Sequence, residues 1–305
     1  MSVLEVWKER VKRVPLLAGP LRACRQGIRG LTQDAPTHIE ARRGIPRLQL
    51  HELWNYRELL VLMALRDFQI RYRQTILGVL WAIVPTLMSG LLFTFLFGRF
   101  AKTGSDGLPY AAFYFAAVIP WNFFNYILMQ SSISLTGNFA LLRKMYFPRI
   151  ILPLKSVLVA GVDFLLACSL IVAVIAYYRI VPSPNVVWLP FFLLLALMAG
   201  LGVGLWFAAL NVYFRDVGNF LPYCTQLWFF MTPIIYPDSI LPQPWQTLIR
   251  LNPMASVAMG FRWALFNDGL PPDLLTLLVF VLTLLMMVGG LYFFRKVERT
   301  IADVV

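Results

Sequence analysis

The sequence predicts an all-α membrane protein. It has six transmembrane helices, an N-terminal amphipathic interface helix, and re-entrant helices between the fifth and sixth spans. Three observations carry this. Hydrophobic residues make up 59% of the 305-residue chain and charged residues 14%, against roughly 25% charged in an average soluble domain. The apolar residues gather in blocks of about 20, the length that crosses the hydrocarbon core of a bilayer. Lysine and arginine fall almost wholly on one side of the resulting pattern.

Residues 1–50 carry ten basic and four acidic residues with several Pro and Gly. They read as a basic cytoplasmic tail whose charge attracts anionic lipid heads. Residues 51–78 read as the interface helix. Asn55, Glu58, Arg66, Gln69 and Arg73 recur at helical spacing as a polar face, with Leu53, Leu60, Met63 and Ile70 elsewhere. Trp54 and Tyr56 suit the headgroup level. A plain membrane anchor and a helix framing the cytoplasmic entrance both fit this pattern.

Residues 79–305 form the transmembrane domain. The expected spans are Val79–Gly98, Tyr110–Ser131, Ile150–Tyr178, Val186–Leu210, Phe220–Tyr236 and Leu274–Phe294, the fifth being the shortest. Between Pro237 and Pro272, Trp245–Arg250 and Met254–Phe266 are apolar enough to dip into the membrane and too short to cross it. Irregular backbone at that depth must be covered by protein or line a watery cavity. With the N-terminus inside, the cytoplasmic pieces hold 21 of the 27 lysines and arginines and the outer pieces 5; Lys155 lies just inside the third span. Both termini are therefore expected in the cytoplasm. The net charge of +12 is mostly this bias, so no nucleic-acid partner is expected.

Several chemistries are excluded. The chain has no Gly-Lys pair, hence no phosphate-cradling loop of the Gly-x-x-x-x-Gly-Lys-Ser/Thr type. Cys24, Cys168 and Cys224 are too scattered for a disulfide framework or a metal site, and His38 and His51 are the only histidines. No cleaved signal peptide is expected. Gly200-Leu-Gly-Val-Gly204 sits inside a span, where small residues serve close helix packing. Asp163 is the one acid well inside a span. With no histidine or second carboxylate in the spans to relay protons, a bond to Ser, Thr or Asn of a neighbouring helix is the expected role.

Two features point to function. Asn138-Phe-Ala-Leu-Leu-Arg-Lys-Met-Tyr-Phe-Pro148 breaks the hydrophobic pattern between the second and third spans and reads as a cytoplasmic docking element. Aromatic residues are 15% of the chain. Tyr223, Trp228, Phe229, Phe230 and Tyr236 run along the fifth span, and Trp81, Phe93 and Phe97 along the first. Aromatic rings offer the apolar faces of sugars a large, rigid, uncharged contact.

The order of these parts resembles the membrane subunit of ABC-2 type polysaccharide exporters, the family serving O-antigen, capsule and teichoic acid export. The resemblance runs from Leu53 to the C-terminus. Leu65-Arg-Asp-Phe-Gln-Ile-Arg-Tyr-Arg-Gln-Thr-Ile-Leu-Gly78 leads straight into Trp81 and Pro85. Asn138, Leu141, Leu142, Lys144, Phe147, Pro148 and Pro153 match the first cytoplasmic loop, and Tyr213-Phe-Arg-Asp216 the second. Thr232-Pro-Ile-Ile-Tyr236 and Asn252-Pro253 match the region round the re-entrant helices.

The resemblance implies a transport subunit without catalytic residues in the bacterial inner membrane. It implies a homodimer bound to two copies of a separate ABC ATPase, which holds the ATP and Mg; this chain itself needs no cofactor. The cargo it implies is a lipid-linked polysaccharide. It makes Asn138, Phe139, Leu142, Arg143, Lys144, Phe147 and Pro148 the coupling helix, with Phe139, Leu142 and Phe147 entering a groove on the ATPase. Arg66, Asp67, Arg71 and Arg73 mark the interface helix, and Trp81, Phe93, Phe97, Tyr223, Trp228, Phe229, Phe230 and Tyr236 line the conduit. An ABC-2 exporter of lipids or drugs, and a secondary transporter, remain as alternatives.

Overall fold

The computed structural model describes residues 50–72, 75, 78–100, 107–142, 147–214, 216–269 and 271–304, and every regular element among them is helical. A short helix, α1 (Leu50–Asn55), precedes α2 (Arg57–Tyr72). The first expected span is broken into a tight turn at Gly78–Ala82, helix α3 (Val84–Phe93) and a π-helical turn, Thr94–Phe100. Pro85 sets the start of α3, because a proline in the first turn gives up only an amide that the helix leaves unpaired.

Among the described residues four helices are long and apolar enough to cross a membrane, lying at Tyr110–Ser132, Ile151–Tyr178, Pro184–Tyr213 and Leu274–Glu298. They correspond to α4 (Tyr110–Ser132), α6 (Ile151–Tyr178), α7 (Leu189–Tyr213) and α11 (Leu274–Val304), with α5 (Phe139–Leu142) between the first two. In the fifth expected span, α8 (Asp216–Met231) ends early, and Thr232–Pro237 continues without regular structure. Pro233 accounts for the stop, since a proline disfavours helical backbone at the residue before it. A 16-residue helix is about 24 Å long, short of the ~30 Å core.

Helices α9 (Gln243–Arg250) and α10 (Pro253–Phe266) fill the region where two short helices were expected. Asn252 caps α10, its side chain accepting from the Met254 N–H at 3.0 Å. Asn267 ends it in the left-handed conformation, φ 57°.

Helix α4 is the centre, with 18 of its 23 residues buried. α6 packs on one side of it and α7 on the other; α11 lies beyond α7, and α2 lies along α6. The α10 helix packs on both α4 and α7. Glycines allow α7 to sit this close to two neighbours. A Cβ on Gly200 would lie 3.0 Å from the Phe124 carbonyl, and one on Gly204 2.7 Å from Ser131 Cβ, both on α4. One on Gly202, facing the other way, would lie 3.1 Å from Met287 Cα on α11.

Candidate functional site

Residues 133–142 and 147–150 lie between the end of α4 and the start of α6. After α4 the chain makes a tight turn at Thr136–Asn138, where the Asn138 amide donates to the Ser134 carbonyl at 2.8 Å. Helix α5 then offers Phe139 and Leu142, both half-buried. Arg143 and Lys144 lie outside the described residues.

Phe147 is the most deeply buried of the described residues expected in the coupling helix. It is 4% exposed, packed within its own chain in a cluster with Met63, Leu135, Ile151, Leu205 and Phe294. Burying such a ring stabilises by roughly 1.5–3 kcal/mol, so within this chain Phe147 holds the loop down. Pro148 follows it, half-buried. Beyond it, the Arg149 N–H donates to Glu298 Oε1 at 3.3 Å, and its guanidinium to the Glu298 carbonyl. The loop is thus fastened to the far end of α11.

Charged side chains bind α2 to α6. Asp163 bonds to a neighbouring helix, through Arg71 and Tyr72 of α2 in place of Ser, Thr or Asn. Its Oδ2 accepts from Arg71 Nη1 at 2.6 Å and its Oδ1 from the Tyr72 hydroxyl at 2.7 Å. Eight residues back along α6, the 8% exposed Lys155 pairs with Asp67 at 2.6 Å, and Arg66 meets the other Asp67 oxygen at 3.0 Å. The Arg71 guanidinium lies 4.9 Å from the centre of the Tyr126 ring. Burial, and then the hydrogen bond to Asp163, pushes the Tyr72 phenol well above its ordinary range, so it stays a donor. Arg73 lies outside the described residues. The signal for this pairing is in the sequence: Asp67 and Arg71 one turn apart, Lys155 and Asp163 two turns apart with the signs reversed.

The structure sorts the eight aromatic candidates into two groups. Phe93 stacks on Tyr114 at 5.2 Å and Phe97 on Tyr110 at 6.1 Å. Trp228 lies 4.9 Å from the Phe124 ring and Phe229 5.5 Å from Trp121. These four are half-buried, each with a ring of α4 as a neighbour. Trp81, Tyr223 and Phe230 are exposed, at 46%, 67% and 54%. Tyr236 is half-buried and donates to the Phe230 carbonyl at 3.1 Å.

A polar network fixes the irregular 232–237 segment. The Trp228 indole donates to Asn252 Oδ1 at 2.9 Å, and Asn252 Nδ2 donates to Thr232 Oγ1 at 3.0 Å. Arg262, 3% exposed, donates to the carbonyls of Phe113 and Ile234 at 3.1 and 3.0 Å. Its guanidinium lies 3.3 Å from the centre of the Phe113 ring. The Tyr110 hydroxyl adds a bond to the Ile235 carbonyl at 2.7 Å. Sequence reasoning missed Arg262; its signal was a lone arginine inside the apolar Met254–Phe266 run. Among the described residues no group of three or more His, Cys, Asp or Glu is placed to hold a metal ion.

The geometry therefore comprises a clamped loop, a pinned irregular segment and membrane-length helices. Similar arrangements of sequence occur in named proteins. The chain is 29% identical over 248 residues to an O-antigen export system permease protein RfbA of Klebsiella pneumoniae, covering 81% of this chain and 95% of that protein. A second Klebsiella pneumoniae protein of that name is 27% identical over the same length. The Myxococcus xanthus protein of that name is 29% identical over 224 residues, covering 73% of this chain and 85% of its own. The model of the ABC-2 type transporter family matches residues 58–266, from α2 to the end of α10. This chain belongs to the ABC-2 type transporter family.

Proposed function

We propose that this chain is the transmembrane subunit of an ATP-driven exporter that moves a polysaccharide such as O-antigen, carried on a lipid, out of the bacterial cytoplasm. The observation that carries this is the near full-length similarity to proteins named as O-antigen export permeases. The chain is a transport subunit; a separate ABC ATPase binds and hydrolyses Mg-ATP. Two copies of the chain assemble with two ATPase subunits in the inner membrane, with both termini in the cytoplasm.

The six crossings are α3 with its π-turn, α4, α6, α7, α8 with the segment that follows it, and α11. α2 runs along the cytoplasmic interface, α9 and α10 dip in from the outer side, and residues 1–50 form a basic tail. The 133–150 loop docks on the ATPase through α5. Phe139 and Leu142 enter the partner's groove, Arg143 and Lys144 meet acidic groups at its rim, and Phe147 and Pro148 hold the loop's base. Trp81, Tyr223 and Phe230 line the conduit where two copies meet, because they present rings outward.

The test is complementation of a strain lacking the chain, with surface polysaccharide measured by antibody. The natural chain should restore the polymer; failure to do so sinks the reading. Phe139→Ala with Lys144→Ala should cut surface polymer at least tenfold at an unchanged membrane level of the chain. Normal export by this variant would leave the docking role without support.

A further inference from the structure

Helix α8 presents two different faces away from the bundle. Leu221 and Thr225 are buried, and Trp228 is held by its bond to Asn252. On the opposite side, Asn219, Tyr223, Gln226 and Phe230 are all exposed. At 100° per residue their steps of four, three and four confine them to an arc of about 60°. A quarter-turn round the helix, Phe220, Leu227 and Met231 make a second exposed stripe, wholly apolar. No Lys, Arg, His or Glu occurs on α8, and its one carboxylate is Asp216, at the first position.

The two stripes ask for different neighbours. The apolar one suits lipid tails or a second copy of the chain. The other alternates a carboxamide with a ring, and no hydrogen bond among the described residues holds either amide. Gln226 lies within the expected span, where an unpaired amide facing hydrocarbon is costly, and Asn219 stands at its edge. Their stripe must therefore meet something that both stacks and hydrogen-bonds.

We propose that Asn219 and Gln226 are hydrogen-bonding positions for the hydroxyls of the passing glycan, set between the stacking rings of Tyr223 and Phe230. The assignment rests on the polysaccharide-export reading. A carboxamide both donates and accepts, as a sugar hydroxyl does. The rings meet the apolar sugar faces. Alternation at about 5.4 Å per turn matches the advance of roughly one sugar unit along an extended chain. The absence of fixed charge lets each unit leave as readily as it arrives. The stripe therefore selects uncharged, hydroxyl-rich stretches of polymer.

The test uses the full chain with its ATPase in the complemented strain. Asn219→Leu and Gln226→Leu are compared singly and together, with Leu227→Ile as a control in the apolar stripe. Surface polymer per minute, membrane level and self-association by cross-linking are all read. Each amide variant should slow export about three- to tenfold and the pair should slow it further. Level and self-association should hold, and Gln226→Asn should recover part of the rate. Export at the natural rate in the double variant overturns the proposal. So does loss of level or self-association alongside export, because the amides would then be joining copies or packing the fold. If the natural chain itself restores no polymer, the export reading is what fails.

Discussion

Removing either partner from the Arg71–Asp163 pair leaves a charge stranded beside Tyr126 and Tyr72. The pair is neither surface nor core, the Asp163 side chain being 18% and that of Arg71 42% exposed. Its loss should therefore cost about 2 kcal/mol, between the ~0–1 of exposed pairs and the ~3–5 of buried ones. Arg71→Gln should lower the melting temperature of the detergent-purified chain, and Arg71→Asp combined with Asp163→Arg should recover more than half of the loss. An unchanged melting temperature in both single variants would show that the pair contributes nothing. Asp163 stood out in the sequence as an acid within a span, yet its partner did not. The two lie 92 residues apart, and an amphipathic pattern gives a side chain's angle round its helix without saying what stands there. The same gap explains the aromatics: spacing placed Trp228 and Tyr223 on one helix, and only packing distinguishes the half-buried ring from the exposed one.

Elements were more legible than contacts. The apolar blocks ending at Ser131, Tyr178 and Leu210 became α4, α6 and α7 with ends shifted by a few residues at most. Length and hydropathy suffice where a helix is uninterrupted. They fail at α8, where Pro233 stops the helix inside an apolar run, and at α3, where a turn and a π-helical stretch divide one. Gly200-Leu-Gly-Val-Gly204 read correctly as a packing element. Its two-sidedness follows from a helix turning 100° per residue: positions four apart face α4, and the one between them faces α11. Gly204→Val places a branched side chain against Ser131 and should cost roughly 1–3 kcal/mol through overpacking. Less folded chain in the membrane fraction is the expected result, and an unaltered yield and melting temperature would contradict it.

At the scale of the whole molecule, α3 and α8 expose far more apolar surface than α4. Met88, Leu91 and Leu92 line α3, with Phe95 in the turn after it, and Phe220, Leu227 and Met231 line α8. Lipid accepts such faces as readily as a second copy does, so surface alone does not give the assembly. Native mass measurement on the complex extracted with its ATPase should give two copies of the 34.9 kDa chain to two of the partner; one to one would contradict the proposed arrangement. The tie between Arg149 and Glu298 has a consequence at the bench. Glu298, near the end of α11, ties to Arg149 of the 133–150 segment, so the C-terminus is the wrong place for a purification tag. A bulky fusion there would strain that tie and, under the proposed function, imitate a coupling defect in a chain whose proposed conduit is intact.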